Sequence, residues 1–133
     1  MISITSKSRY AVVAMAELAR SGGDAPVPLA QIAERRAMPL QFLEQLFSTL
    51  RRAGLLNSQR GVKGGYSLAR PPEDITVLEV VQALDGRLGE EAREAGGIWR
   101  EGVEALRDVF RSTTIADIAA REASDAGAGM YYI

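Results

Sequence analysis

Two short amphipathic segments divided by a proline constrain the fold of this chain more than any other feature. The second segment, predicted as a helix over 39–53, ends at Gly54. Its apolar residues recur at helical spacing: Leu43, Leu46, Phe47 and Leu50. The first segment, predicted over 28–36, ends at "AMP", because the residue before Pro39 is disfavoured in helical geometry. Two short helices joined by a tight break are typical of a helix-turn-helix.

The opposite face of the second helix carries polar and charged side chains, namely Gln41, Glu44, Gln45, Ser48, Arg51 and Arg52. Amide, carboxylate and guanidinium groups can pair with base edges and phosphates of DNA. A polar outward face is equally typical of any surface helix. The face by itself leaves both interpretations open.

The stretch "RGVKGG" lies between "LLNSQ" and "YSLA", which alternate as two short strands. Its glycines allow a close approach to another surface and leave Arg60 and Lys63 projecting. A phosphate cradle would need Ser or Thr after the lysine and then a helix, whereas Gly64 and a strand follow. A plain surface hairpin and a DNA-contacting wing remain, and the preceding helix pair favours the wing.

The charge is divided unevenly along the chain. Residues 1–70 hold ten Lys or Arg against four Asp or Glu, a net charge of +6, although the whole chain carries −1. A cationic half suits a partner that presents phosphates.

The composition excludes most catalytic and metal chemistry. The chain has no cysteine and no histidine, so thiol nucleophiles, imidazole bases and cysteine-ligated clusters are excluded. We expect no enzyme activity and no cofactor. Hydrophobic residues make up 47% of the chain, yet no apolar run approaches the roughly 20 residues that span a bilayer. A folded cytoplasmic protein without a membrane partner is expected.

Further helices are predicted on either side of this region. A first helix covers 6–20, and "TVLE" from Thr76 is a capping box that opens a helix over 76–85. A long helix over 90–111 carries an apolar stripe for which we predict a homodimer contact: Ile98, Trp99, Val103, Leu106 and Phe110. The alternative is that this helix folds back on its own domain.

A last turn or two is predicted at "TTIADIAAR", capped by Thr114 and Asp117. Periodicity is then lost, and a flexible tail is expected. The predicted divisions are a DNA-binding domain over 1–86, a dimerisation helix with a short helix over 87–122, and the tail over 123–133.

Three stretches of the chain resemble one family of winged helix-turn-helix regulators. They are "ITSKSRYAVVAMAELA", "PLAQIAERRAMPLQFLEQLFSTLRRAGLLNSQRGVKGGYSLARP" and "DITVLEVVQALDG". The family includes the iron–sulfur regulator IscR, the nitric-oxide sensor NsrR and the cysteine-metabolism repressor CymR. Many members hold a cluster through three cysteines between the helix that ends near Asp85 and the dimerisation helix. Here that segment reads "GRLGEEAREAGG", without cysteine, so the cluster role does not carry over and the chain resembles CymR most.

The resemblance implies a bacterial dimeric repressor that reads a double-stranded DNA operator. The residues it assigns to base reading are Gln41, Glu44, Gln45 and, in the minor groove, Arg60. Those it assigns to phosphate contact are Ser6, Lys7, Tyr10, Ser48, Arg51, Arg52 and Lys63. The same fold allows two alternatives, a regulator that senses a ligand directly and an interaction module that does not bind DNA.

The resemblance to CymR also implies a partner, cysteine synthase (O-acetylserine thiol-lyase). The apolar end of the tail would dock in its active site through Met130, Tyr131, Tyr132 and Ile133. An enzyme that binds an amino-acid substrate has a pocket for a carboxylate, and a free C-terminus offers one. The alternative is that this tail folds onto its own dimer.

Overall fold

The computed structural model describes residues 4–21 and 24–132, with side chains described as far as residue 125. Its α-helices are α1 (Ser6–Arg20), α2 (Leu29–Arg36), α3 (Leu40–Arg52), α4 (Val77–Asp85), α5 (Glu90–Ala95), α6 (Gly97–Ser112) and α7 (Ile115–Tyr132). Strands β1 (Leu56–Gln59) and β2 (Gly65–Leu68) form an antiparallel pair between α3 and α4, and a 3₁₀ turn covers Pro72–Asp74. The predicted mainly helical fold with a two-stranded wing is confirmed. Among the described residues, none of the helices combines the length and apolar character needed to cross a membrane.

The hydrophobic core lies where α1, α3 and α4 meet. All four apolar positions predicted for α3 are buried, and Phe47 and Leu50 are fully enclosed. Met15 of α1, Ile32 of α2 and Val80 of α4 join the same cluster. The core therefore fixes α3 along its whole inner face.

The break between α2 and α3 depends on more than Pro39. Ala37 adopts a left-handed conformation with φ of 53°, and the Met38 amide donates to the Ala33 carbonyl at 2.9 Å. This is the hydrogen-bond pattern of a Schellman helix end, in which an apolar residue after the cap packs back on the helix. Met38 is buried accordingly. The proline then sets the extended entry to α3.

A third extended segment, absent from the sequence prediction, supports the wing. Val27 bridges Tyr66 of β2 through hydrogen bonds of 2.8 and 2.9 Å between their backbones. Gly65 makes this approach possible, because a Cβ there would lie 2.2 Å from the Val27 carbonyl oxygen. A single bridging residue between two prolines has no periodicity from which a strand can be predicted.

The predicted helix over 90–111 is wrong as a continuous element. Gly96 and Gly97 adopt φ of 74° and 56°, so the helix ends at Ala95 and α6 starts afresh. Left-handed backbone is accessible to glycine without steric cost, and two consecutive residues in it cannot continue an α-helix.

The prediction that Val103 belongs to the dimer contact is also wrong. It is 1% exposed, and its methyl groups lie against Gly89 in the loop before α5. It is buried inside the protomer and is therefore not available to the predicted dimer face. One side of α6 therefore folds back on its own domain, as the alternative prediction had it, and the dimer contact of the remaining apolar residues stays a prediction.

The predicted start of α7 agrees with the structure, but the predicted length does not. The Thr114 amide donates to Asp117 at 2.9 Å, and the Asp117 amide donates to the Thr114 hydroxyl at 3.1 Å. The hydrogen bonds from Thr114 hold the pKa of Asp117 below its ordinary value. The helix then continues to Tyr132, across most of the segment expected to be an irregular tail, since its many alanines favour helix.

The boundary predicted at residue 86, between the DNA-binding domain and the dimerisation helix, is crossed by the main hydrophobic core. Ile115 of α7 is buried in the main core, and its amide donates to the Ile75 carbonyl at 2.9 Å. The Val77 amide likewise donates to the Thr113 carbonyl at 2.8 Å, and α7 packs along α1. The first turns of α7 thus belong to the packing of the N-terminal domain.

Asp85, at the end of α4, ties that helix to the start of α1. Its carboxylate accepts from the Thr5 amide at 3.0 Å, the Thr5 hydroxyl at 2.6 Å and the Ser8 hydroxyl at 2.6 Å. Burial alone would raise the pKa of Asp85, but the bonds from Ser8 and Thr5 and the charge of Lys7 outweigh it and lower the pKa. The ionised form is therefore the one that stabilises the fold.

We expect Asp85→Ala to lower the free energy of unfolding by about 1 kcal/mol at pH 7, as the loss of a helix cap does. Because the folded pKa lies below the unfolded value of about 3.9, this stabilisation is present above that pH and is lost as pH falls through the folded pKa. Urea unfolding of both proteins at pH 7 and pH 2.5 measures it. Asp74→Ala, at an exposed carboxylate in the 3₁₀ turn, is the control. A difference between wild type and Asp85→Ala that is the same at both pH values would contradict the assignment.

Candidate nucleic-acid interface

The outward face of α3 is exposed where the sequence predicted base-reading residues. Gln41, Glu44 and Gln45 are all exposed, while Leu43 between them is fully buried. None of these three polar side chains has a hydrogen-bond or ion-pair partner among the described residues. A polar group without an internal partner keeps its full capacity to bind something outside the protein.

Two aromatic pairs hold α3 in place. The ring of Phe47 meets Tyr66 of β2 edge to face, with centroids 5.1 Å apart. The ring of Phe42 meets Tyr10 of α1 in the same way at 5.6 Å. The helix is thus packed against the wing through Phe47 and against α1 through Phe42, and these contacts fix the three elements relative to one another.

The wing ends in a tight turn that presents its cation. The Gly64 amide donates to the Gly61 carbonyl at 3.0 Å, which places Val62 and Lys63 at the tip. Gly64 has to be glycine, because a Cβ would lie 2.2 Å from the Gln59 carbonyl oxygen. Val62 was not predicted to be part of the wing tip, although it is completely exposed there. Its place between Gly61 and Lys63 was the signal that could have indicated this.

The predicted phosphate-contacting residues lie on the same three elements. Six of the seven are exposed and Ser48 is half-buried: Ser6, Lys7 and Tyr10 on α1, Ser48, Arg51 and Arg52 on α3, and Lys63 on the wing. Ser6 is the first residue of α1, after the N-cap Thr5 whose hydroxyl accepts from the Lys7 amide at 3.2 Å. The Asp85 carboxylate already occupies this helix N-terminus, so the exposed side chains of Ser6 and Lys7 are the groups left for a phosphate contact.

The cations of α2 are neutralised within the protein. Arg36 forms ion pairs with Glu17 of α1 at 2.8 Å and with Glu122 of α7 at 2.5 Å, and Arg35 pairs with Glu17 at 3.2 Å. Burial alone would raise the pKa of Glu17, but the two arginines lower it, and Glu122 raises the pKa of Arg36. These charges fasten α2 between α1 and α7 and are not free to meet a polyanion.

The cations of α3 and the wing are not neutralised. Arg51, Arg60 and Lys63 are exposed and form no ion pair within the part of the chain that the structure describes. Arg52 makes one hydrogen bond, to the Thr49 hydroxyl at 3.4 Å. These cations lie on the helix that carries the polar face of Gln41, Glu44 and Gln45 or on the wing next to it, where they can neutralise phosphates.

The other predicted contact residues lie apart from this surface. On α6, Ile98 and Trp99 are 67% and 66% exposed, Val109 is 58% exposed, and Leu106 and Phe110 are half-buried. The side chains of Met130, Tyr131 and Tyr132, and the whole of Ile133, lie outside the described part of the protein.

Comparison with known proteins finds relatives over most of the chain. The family model described as "Rrf2: Iron-dependent Transcriptional regulator" matches residues 4–121. The HTH-type transcriptional regulator IscR of Xenorhabdus nematophila is 38% identical over 143 aligned residues, covering 92% of this chain and 87% of that protein. IscR of Aliivibrio salmonicida is 42% identical over 123 aligned residues, covering 92% and 71%.

Two solved structures are similar in both fold and sequence. CymR (YrzC), called the global cysteine regulator of B. subtilis, superposes with a TM-score of 0.80 at 36% identity, covering 91% of this chain and 98% of that one. IscR of T. potens gives a TM-score of 0.77 at 37% identity, covering 94% and 90%.

Proposed function

We propose that this chain, which belongs to the Rrf2 family of transcriptional regulators, reads a specific double-stranded operator as a homodimer, with α3 and the wing as its contact surface. The expected family is thereby confirmed. Its relatives regulate transcription through DNA, and the chain is not an enzyme. The observation that carries the residue-level proposal is the set of unpaired cations, Arg51, Arg60 and Lys63, beside an exposed face of amide and carboxylate groups.

The chemistry of each side chain gives it a role in this proposal. Glu44 accepts a hydrogen bond from a cytosine amino group in the major groove, and the amides of Gln41 and Gln45 suit adenine. Arg60 enters a narrow A·T-rich minor groove, whose negative potential attracts guanidinium groups. The phosphate contacts from α1, α3 and Lys63 fix the register and carry no sequence information.

The homodimer is proposed from the outer face of α6. Ile98, Trp99 and Val109 leave large apolar side chains exposed on one helix, and Leu106 and Phe110 border them half-buried. Covering such a patch with a second copy removes it from water and places two DNA-contacting surfaces about a two-fold axis. Regulators of this kind read two half-sites that mirror their symmetry.

We expect Glu44→Ala to relax base preference at one position in each half-site, since the lost hydrogen bond discriminates between bases by about 1–3 kcal/mol. Sequences selected from random duplexes by the wild type and by the variant measure this directly. Glu73→Ala, at an exposed glutamate in the 3₁₀ turn, is the matched control and should select the wild-type operator.

Two outcomes would contradict the proposal. If Glu44→Ala weakened binding equally to every sequence, Glu44 would not read a base. If the wild type bound random and selected duplexes equally as salt rises, the chain would be an interaction module without DNA specificity, because nonspecific binding fails first at high salt.

The iron dependence in the family description does not fit the residues of this chain. A cysteine-ligated cluster needs thiolates, and the sequence contains neither cysteine nor histidine. Within the described part of the chain, no group of three or more acidic side chains is placed to hold a metal ion. No step of the proposed function therefore involves a cluster.

We further propose regulation of cysteine or sulfur genes with cysteine synthase docked on residues 130–133. The similarity to the global cysteine regulator of B. subtilis supports this assignment. The IscR relatives indicate iron–sulfur regulation instead, but this chain has no thiol ligands for a cluster. Tyr131 and Tyr132 offer large contact area with few rotors to order, and a peptide that ends at Ile133 offers a carboxylate like that of an amino-acid substrate.

We expect a peptide of residues 124–133 with a free carboxylate to bind cysteine synthase and to be displaced by O-acetylserine. The same peptide with an amidated C-terminus is the control and should bind at least tenfold more weakly, because hydrogen bonds to its charge are lost. Calorimetry measures both. Equal binding of the two peptides, or no binding of either, would remove the docking proposal and leave DNA reading untouched.

A further inference from the structure

We propose that a cleft between α4, α5 and α6 binds a small oxyanion, a metabolite that carries carboxylate or phosphate groups. The cleft has a volume of roughly 520 Å³ and is lined by the C-terminal end of α4, the loop after it, α5 and the interior of α6. Its lining residues are Gln82, Gly86, Arg87, Glu90, Arg93 and Arg107. This inference does not depend on DNA reading.

The lining is cationic, and its polar surface exceeds its apolar surface. Three guanidinium groups face one carboxylate, and Gln82 adds an amide that can donate and accept. No aromatic or large aliphatic side chain lines the cleft. Its volume is within the range of pockets that hold small organic molecules, about 300–1,000 Å³.

Arg107 is the lining residue whose charge has no counterion in the structure described. It lies one turn after the buried Val103, on the face of α6 that packs on its own protomer, and its Nε is buried without a hydrogen-bond partner among the described residues. It forms no ion pair within that part of the chain either. Buried polar groups are nearly always satisfied by protein, water or a ligand, so this nitrogen is free to donate to an anion that enters the cleft.

The other two arginines are held but remain able to contribute. Arg93 pairs with Glu104 of α6 at 2.6 Å, which fastens α5 to α6 beside the cleft. Arg87 pairs with Glu90 at 3.0 Å, but their side chains are 78% and 49% exposed, so water screens this pair. An oxyanion can therefore replace Glu90 as the partner of Arg87 while it binds Arg107.

Arginine is suited to this task in particular. Its planar fork of N–H donors matches the two oxygens of a carboxylate or phosphate, and the resulting charge-assisted hydrogen bonds are strong. Because the three arginines come from the loop after α4, from α5 and from α6, a bound oxyanion would connect all three segments.

Thermal unfolding of the full chain tests the site, with inorganic phosphate and citrate as separate probes. At about ten times its Kd, the anion that fits should raise Tm by about 4 °C above sodium chloride of matched ionic strength. Whichever probe gives the larger shift identifies phosphate or carboxylate as the preferred group. A shift no larger than that of chloride for either probe would overturn the proposal.

Substitutions locate the site. Arg107→Gln should weaken anion binding at least tenfold, since it removes hydrogen bonds to a charged group. Arg111→Gln, one turn later on α6, where Arg111 pairs with Asp108 and does not line the cleft, is the control and should bind as the wild type. Unchanged binding in a folded Arg107→Gln protein would overturn the assignment.

A second variant, expected to bind more tightly, tests the site even if Arg107→Gln does not fold. Glu90→Gln removes the carboxylate that competes for Arg87, so Kd should fall about threefold, the worth of an exposed ion pair. Calorimetric titration with the better probe measures it. Binding no tighter than that of the wild type would contradict the proposed place of the anion.

Discussion

Replacing Arg51, Arg60 and Lys63 together by alanine is expected to lower operator affinity at least about 100-fold at physiological salt. Each protomer loses two proposed phosphate contacts and one base contact, so the dimer loses six cations at its contact surface. Since every phosphate contact contributes about 0.9 to the slope of log K against log salt, loss of four should flatten that slope by about 3.6. Binding isotherms at several salt concentrations measure both quantities.

The control for this triple variant has to remove the same charge elsewhere. Arg87, Arg111 and Arg121 lie outside the proposed contact surface, and their joint replacement by alanine lowers the net charge equally. Long-range attraction of DNA depends on net charge, whereas the salt slope depends on cations that touch phosphates. If both triple variants lost affinity and slope alike, α3 and the wing would not be the contact surface.

Replacing Phe47 by alanine is expected to lower the free energy of unfolding by about 3–5 kcal/mol, as the truncation of a large buried aromatic side chain does. Phe47 is fully buried in the core and its ring also holds Tyr66 of the wing. The substitution removes apolar contact and leaves a cavity between α3 and β2. Urea unfolding measures the loss.

Phe42→Ala is the matched control, because Phe42 lies on the same helix and makes the same edge-to-face contact, with Tyr10, while half-buried. Its replacement should cost clearly less, since less surface leaves contact. Equal losses for the two variants would show that the seam between α3 and the wing does not determine stability. A Phe47→Ala protein that keeps its fold should also bind DNA more weakly, because α3 and the wing are no longer held in one orientation.

The local elements of the DNA-reading region were predictable because each has its own signal in the chain. The apolar spacing on α3 indicates which of its faces is buried, and Pro39 and Gly54 mark its ends. Thr76 before α4 and Thr114 before α7 are caps whose hydroxyls do accept the expected amide hydrogen bonds. Short-range rules suffice where the interacting residues are three or four positions apart.

Two predictions failed for local reasons, since the positive φ of Gly96 and Gly97 breaks the helix expected over 90–111 and α7 extends beyond its expected turn or two. The other features that the sequence did not predict depend on residues distant in the chain. Whether Val103 faced a second copy or its own protomer was decided by the approach of Gly89. Tyr66 acquired a bridge to Val27, and Arg36 acquired a partner in Glu122 of α7. Periodicity records that a position is apolar but not which surface covers it.

The sequence by itself determined that a helix pair with a glycine-hinged, cationic hairpin would form, since helix spacing, caps and turns are encoded in neighbouring residues. Only the tertiary structure decided which cations remain available. Carboxylates from α1 and α7 neutralise the arginines of α2, while those of α3 and the wing have no such neighbour among the described residues. Coulombic attraction depends on distance in space, and the fold alone sets that distance for charges far apart in the chain.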